Sequence, residues 1–442
     1  MSAAFERAMR LPHATALVVG TIVGASIFVQ PSEVTSQVHS VGLVLLVWLA
    51  SGGITLIGSL VCAELSSTYT RTGGVYVYLS EAFHPSLGFL WGWAMFLTMH
   101  SGIIAAVATV FARYTGYFVP LSERGSRIVG IGVILVLSAV NYFGVRHGSR
   151  VQTVFAAVKL LAVLLIISLG VLFGGRVDAH FVGAAGSAGD SISGFLGAMV
   201  AGLFTYGGWH MVTYSSEETV EPERTIPRAL LLGTLLVTGV YMAMNTVYLY
   251  VLPLDDVARS TRVAADFADR LLGAGGGRLA SAIVMLSTFG ALTGIILAGP
   301  RVYYAMAQDR LLFRWIGELH PKYATPHRAI VVQAVWASLL VGTGTFRALF
   351  TRVVYTEWLF FGLLAIGLLL LRRRQTPRKF SMWGSPWLPL IFVVSSFAIV
   401  INTMLASPRD AAMGLGLVLL GAPVYWLWDR FRPYGFDARK AP

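Results

Sequence analysis

Two tracts of the chain place glycine inside long apolar runs: Gly20-Thr21-Ile22-Val23-Gly24-Ala25-Ser26-Ile27-Phe28 and Phe204-Thr205-Tyr206-Gly207-Gly208-Trp209-His210. Two glycines four apart, or an adjacent pair flanked by aromatics, make a helix easy to unwind. An unwound stretch then exposes backbone groups to a ligand. Amides at the start of the following half-helix, its positive end, suit a carboxylate. Carbonyls left at the end of the preceding half-helix accept hydrogen bonds from an ammonium. Two such breaks facing each other would grip a zwitterion without any charged side chain. A rival reading makes each tract a small-residue packing motif between helices. The occurrence of two breaks, five apolar runs apart, favours a binding site built on an inverted repeat.

Few side chains add chemistry to these breaks. Lys159 lies about eight residues into an apolar run, which at 1.5 Å per residue puts it about 12 Å deep. Snorkelling from there is a long reach, and ionisable groups at that depth are functional by default. Tyr206, His210 and His100 are candidates for lining a site, the histidines because they titrate near neutral pH. The competing reading of both histidines is a neutral, hydrogen-bonded core residue. Glu64 is read as a structural acceptor for a turn at Gly73-Gly74, and Arg372-Arg373-Arg374 as a topology anchor. No metal-ligand spacing, phosphate loop or nucleophile elbow is present, and Ser215-Ser216 lacks the strand–turn–helix setting of a hydrolase. The single cysteine, Cys62, excludes an internal disulfide.

Composition says what must position these groups. The chain has 442 residues, 56% hydrophobic and only 12% charged, against roughly 25% charged in soluble domains. It reads as an all-α polytopic membrane protein. The net charge of +12 falls in short tracts between apolar runs, as orientation signals do, rather than on the clustered surface of a nucleic-acid binder. About twelve runs reach bilayer-spanning length: 11–37, 42–68, 87–119, 127–145, 151–174, 191–216, 228–253, 278–307, 329–346, 350–371, 384–406 and 410–429. They must be helices, because backbone groups in lipid have to be satisfied within the segment. Numbered in order, these are spans 1 to 12; the breaks fall in spans 1 and 6. The run after Met1–Arg10 has no convincing cleavage site and is read as a retained first span. With the N-terminus inside, 21 of the 33 Lys and Arg lie on the inner side and 11 on the outer, Lys159 aside. The positive-inside rule then places both termini in the cytoplasm.

Further motifs surround the two breaks, and together they carry a resemblance. They are Ala63-Glu64-Leu65 with Thr72-Gly73-Gly74-Val75-Tyr76-Val77-Tyr78, Val145 to Gln152 ahead of Lys159-Leu160-Leu161, and Pro222 to Arg228. Arg301-Val302-Tyr303-Tyr304-Ala305-Met306-Ala307, followed by His320-Pro321 and Thr325-Pro326, completes the set. The sequence resembles the L-type amino acid transporters, a family of the amino acid–polyamine–organocation superfamily. Motif likeness covers about residues 11–330, and beyond that it is mainly one of topology.

The resemblance implies a five-plus-five inverted repeat with broken spans 1 and 6. Residues 1–10 would be a cytoplasmic segment, 11–174 and 191–371 the two repeats, 384–429 two extra spans, and 430–442 a cytoplasmic tail. Carried over by position, the amides of Gly24, Ala25 and Ser26 would hold a substrate carboxylate. The carbonyls of Ile22, Phe204, Thr205 and Gly207 would take its ammonium, with Phe204 as an aromatic gate. Where the family has Ser-Gly this chain has Ala25-Ser26, which favours a smaller substrate or a shifted pose. Lys159 matches the span-5 lysine of sodium-independent relatives, standing where sodium-coupled cousins bind a cation and bridging spans 1, 5 and 8. Animal relatives are disulfide-linked to a heavy subunit through a cysteine after span 3; the loop Pro120–Arg127 has none, so no such subunit is expected.

The function expected is secondary active transport of neutral L-amino acids by alternating access in the cell (inner) membrane. It is expected to be sodium-independent, by exchange or facilitated transport, with no cofactor and no metal. A proton-coupled transporter, or one for polyamines or cationic amino acids, is the alternative. A membrane-embedded enzyme or a channel is the reading from a different class.

Overall fold

The computed structural model describes residues 9–71, 73–143, 148–178, 181–182, 191–273, 275–323, 325–375 and 378–430, with side chains at 148–158, 297, 301, 305, 308 and 410 left aside. Residues 1–8, Thr72, Arg146, His147 and the tail from 431 onward, which enter the charge asymmetry and the motifs above, lie outside the described residues.

Among the described residues the protein is helical, and its one strand-like contact is an isolated bridge between Met9 and Thr219. Ten segments among the described residues are long and apolar enough to cross a membrane. Span 1 is not among them because it is broken: Leu11–Ile22 is one short helix and Gln30–Thr35 another. Span 9, His327–Thr343, has 17 residues, about 26 Å at 1.5 Å per residue and at the short end for a bilayer. The others are span 2 (Val41–Thr68), span 3 (Pro85–Thr115), span 4 (Glu123–Tyr142), span 5 (Gly148–Phe173) and span 7 (Pro222–Val251). Further along come span 8 (Gly276–Gln308), span 10 (Phe346–Arg373) and span 11 (Trp387–Ala406). Span 6 runs Ile192–Thr205 and resumes as a tighter turn at Trp209–Glu218. Span 12 is also divided, into Pro408–Leu419 and Gly421–Arg430.

Local chemistry sets the span starts. Ser40, Ser122, Ser191 and Thr345 cap spans 2, 4, 6 and 10 by accepting from the amide three residues on, which satisfies donors that a helix start leaves open. Pro85 and Pro222 occupy first-turn positions, where a missing amide proton costs nothing. Leu135, Leu161, Leu164, Leu235, Leu236 and Leu339 are exposed on the bundle exterior, the surface a bilayer covers.

Two helices between spans 7 and 8, Leu254–Arg259 and Val263–Leu272, fall where the sequence reads as linker. The second is amphipathic: Val263, Ala264, Phe267 and Ala268 are buried and Arg270 is exposed. Ten residues are too few to register as a span, so this segment is invisible to a search for apolar runs.

Glu64 differs from its expected role. Its carboxylate is paired with Arg372, whose Nε donates at 2.8 Å and whose second nitrogen lies closer still. It also accepts from the Met382 amide at 2.9 Å, with Arg378 at 3.6 Å. A carboxylate this deeply buried requires a counter-charge, which loop amides alone do not supply. Arg372 is therefore half of an ion pair joining span 2 to span 10. The Gly73-Gly74 turn instead packs under the lower half of span 6, where a Cβ on Gly74 would strike Thr213 and Tyr214.

Candidate substrate site

The span-1 helix stops because Val23 and Gly24 are extended, with φ/ψ of −69°/93° and −117°/−165°. A single tight turn, Ala25–Phe28, follows before the chain becomes helical again. The first amides of such a turn have no partner within it. Among the described residues the amides of Ala25 and Ser26 find no main-chain acceptor. Span 6 stops at Tyr206 and turns through Gly207 and Gly208, the latter at φ +98°. Only glycine adopts that value without strain.

These breaks meet. A Cβ built on Gly208 would lie 2.9 Å from the carbonyl oxygen of Thr21, so the absence of a side chain there is what lets the two backbones approach. Tyr241 of span 7 ties them together, its hydroxyl standing 2.9 Å from the Ile22 carbonyl and 3.2 Å from that of Thr205. Phe204 O accepts from the Gly207 amide at 3.1 Å. Ile22, Phe204 and Thr205 thus each have one contact already, while a carbonyl retains a second lone pair for a ligand. Gly207 O accepts no main-chain hydrogen bond among the described residues. Ile22, Ala25, Ser26 and Thr205 are buried, and Gly24 and Gly207 are half-buried.

Lys159 reaches the first break from span 5. Its ammonium donates to Gly20 O at 3.0 Å. In an unbroken helix that carbonyl would accept from the amide of Gly24, four residues on; the break removes the donor and the lysine replaces it. Its positive charge also sits at the negative end of the inner half-helix. The contact recorded for Lys159 is to span 1, and no hydrogen bond to span 8 accompanies it among the described residues.

Phe204 lies under an aromatic column. Its ring is 5.5 Å from Phe350, Phe350 is 5.2 Å from Phe346, and the Arg113 guanidinium stands 4.4 Å over Phe346. At this end Arg347 pairs with Glu33 at 2.6 Å and donates to Ser36 at 3.0 Å, linking the outer half of span 1 to span 10. The Tyr114 hydroxyl donates to Phe28 O at 2.7 Å, so span 3 holds that half as well.

The three candidates for lining fare differently. Tyr206 packs between Trp48 and Tyr241 and donates to Trp48 O at 3.2 Å. His100 Nε2 is 2.8 Å from Ile295 O and joins span 3 to span 8. His210 sits just past the second break in a cage of Trp91, Trp209, Tyr214 and Phe361, its Nδ1 without a partner among the described residues. Sequence reasoning missed Tyr241, an ordinary tyrosine in an apolar run with no local signal. It also passed over Glu357 in span 10, which the criterion applied to Lys159 would have found.

Removing the Tyr241 hydroxyl takes away one buried hydrogen bond, about 0.5–1.5 kcal/mol. Tyr241→Phe is expected to slow exchange by roughly 2- to 13-fold, on that range. Initial rates in proteoliposomes check this, and an unchanged rate would mean the bridge between the breaks is dispensable.

A helical bundle whose first and sixth spans unwind against each other, with a lysine from span 5 answering a carbonyl freed at one break, defines a secondary transporter of the broken-helix class. The comparisons agree with the geometry: a profile described as "Amino acid permease" matches residues 10–422, and the chain belongs to that family. It is 30% identical over 443 residues to the serine/threonine exchanger SteT of Bacillus subtilis (strain 168), covering 99% of this chain and 98% of that protein. It is 31% identical over 436 residues to the large neutral amino acids transporter small subunit 2 of Rattus norvegicus, covering 96% and 81%. With the Asc-type amino acid transporter 1 of Mus musculus the figure is 29% over 438 residues, again 96% and 81%. The likeness thus extends well past residue 330, into spans where no motif had signalled it.

Proposed function

We propose that the protein is a sodium-independent exchanger of neutral L-amino acids that works by alternating access in the cell membrane. The observation that carries this reading is the junction of the two breaks, Gly208 against the Thr21 carbonyl and Tyr241 across Ile22 and Thr205. It sets two open amides, of Ala25 and Ser26, near a group of carbonyls with spare lone pairs, which is complementary to a zwitterion. The amides of Gly24, Ala25 and Ser26 receive the carboxylate, and the carbonyls of Ile22, Phe204, Thr205 and Gly207 receive the ammonium. Phe204 closes over it. The names of the relatives, two for neutral or Asc-type amino acids and one for serine and threonine exchange, support the substrate class.

Residues 11–174 and 191–371 are read as the two repeats, with 384–429 appended and both termini cytoplasmic. The Glu33–Arg347 end is then extracellular and the Glu64–Arg372 end cytoplasmic. This role requires no catalysis, cofactor or covalent subunit. The purified single polypeptide in liposomes loaded with unlabelled amino acid is expected to take up labelled amino acid by saturable counterflow. Saturable uptake indifferent to internal amino acid would argue for facilitated transport, and uptake that does not saturate for a channel. Absence of uptake from the lone polypeptide, restored by a second subunit, would overturn the single-chain reading.

A further inference from the structure

One buried carboxyl has no part in the transport reading above. Glu357 lies in the middle of span 10, only 6% exposed. Phe350, Val354, Glu357 and Phe361 fall at i, i+4, i+7 and i+11 and so share one stripe of the helix. Contacts fix both ends of that stripe. Phe350 meets Phe204 before the span-6 break, and Phe361 meets Trp209 and His210 beyond it at 5.0 and 5.1 Å. Glu357, between them, stands opposite the break itself, near enough to Tyr214 for the two to interact electrostatically.

Other deep charges in the bundle have partners: Glu64 has Arg372, and Lys159 has Gly20 O. Glu357 makes no hydrogen bond or ion pair among the described residues. From the elements packed on span 10, the titratable groups toward this depth are His210 and Tyr214 of span 6, His100 of span 3, Cys62 of span 2 and Tyr78 of the short helix Val75–Ala82. Span 10 itself contributes Tyr355. The fixed charges lie toward the ends: Arg113, Arg347 and Arg352 on one side, Glu64 with Arg372 and Arg378 on the other. An ionised carboxylate without a partner in such a core costs several kcal/mol, and lone carboxyls in transporter interiors serve as proton sites.

We propose that Glu357 is a proton-binding site of the substrate chamber, and that the closed chamber passes from one side to the other with a proton on its carboxyl. The inference rests on the transport reading. On one side a proton leaves water and forms an O–H bond to a Glu357 oxygen; on the other that bond breaks and the proton returns to water. The amino acid's bonds are untouched and nothing is oxidised or reduced. Exchange then carries a proton in each direction, so a pH gradient runs down through it.

The test uses proteoliposomes loaded with L-serine or L-leucine, a trapped pH-sensitive dye and an imposed pH gradient. Adding the same amino acid outside is expected to speed collapse of the gradient several-fold above the leak. Wild-type exchange should fall by about tenfold per pH unit once Glu357 ionises. Glu357→Gln, fixed in the neutral form, should lose the amino-acid-dependent proton flux and exchange at a rate that no longer changes with pH. Wild-type counterflow without proton flux would overturn the proposal and leave the transport reading standing; absence of wild-type counterflow would sink the transport reading instead. A folded Glu357→Gln that keeps the proton flux, or that is inactive at every pH, also overturns it. Should that variant not fold, the wild-type flux measurement decides alone.

Discussion

Lys159→Ala is expected to lower exchange by roughly 10- to 150-fold, with the variant still eluting as a folded, monodisperse protein. The range follows from one hydrogen bond to a charged donor, about 1.5–3 kcal/mol. The lost bond is the one from the ammonium to Gly20 O at 3.0 Å, and no neighbouring amide can replace it while Gly24 is extended. The inner half of span 1 then keeps an unanswered carbonyl at its negative end, and the closed arrangement of the breaks loses its anchor to span 5. The same account makes an added cation unnecessary, so wild-type uptake should be equal in sodium and choline buffers. A fully active Lys159→Ala, or strong stimulation of the wild type by sodium, would show that the lysine is not the bridge.

The second large effect is expected at Gly24, where two considerations separate folding from binding. Its backbone is extended at φ −117°, a region β-branched residues accept. A Cβ there would meet only Ile22 O at 3.8 Å and Ser26 Oγ at 3.9 Å, ordinary van der Waals distances. Gly24→Val should therefore fold, with its methyl groups occupying the space in which the proposed site would hold a carboxylate. The expected result is loss of the thermal stabilisation that amino acids give the wild type, about 2.7 kcal/mol at a hundredfold excess over Kd, together with loss of counterflow. Gly208→Ala is the contrasting case. At φ +98° and 2.9 Å from the Thr21 carbonyl, its methyl group drives the breaks apart and costs about 1–3 kcal/mol of strain. It should lower the melting temperature even without ligand. Undiminished ligand stabilisation in Gly24→Val would remove the carboxylate from this site.

The sequence alone determined the features that depend on one segment at a time. A run of about twenty apolar residues must be a helix in lipid because its amides and carbonyls have no other partners, so the spans were legible to within a few residues. Both breaks were legible for the same reason, since glycine content acts locally, and the depth of Lys159 is a matter of counting. What the sequence left undecided is which groups answer the ones set free. Lys159 finds Gly20 across 139 positions, Tyr241 finds Ile22 across 219, and Arg372 finds Glu64 across 308. No periodicity encodes such pairings. They follow from how spans 1, 2, 5, 7 and 10 pack, and a buried carbonyl or carboxylate takes whichever donor the packing brings within about 3 Å. Tertiary structure likewise put Tyr206 and His100 into scaffold contacts and set Glu357 opposite the span-6 break, because a helix's facing is decided by its neighbours and not by its own composition.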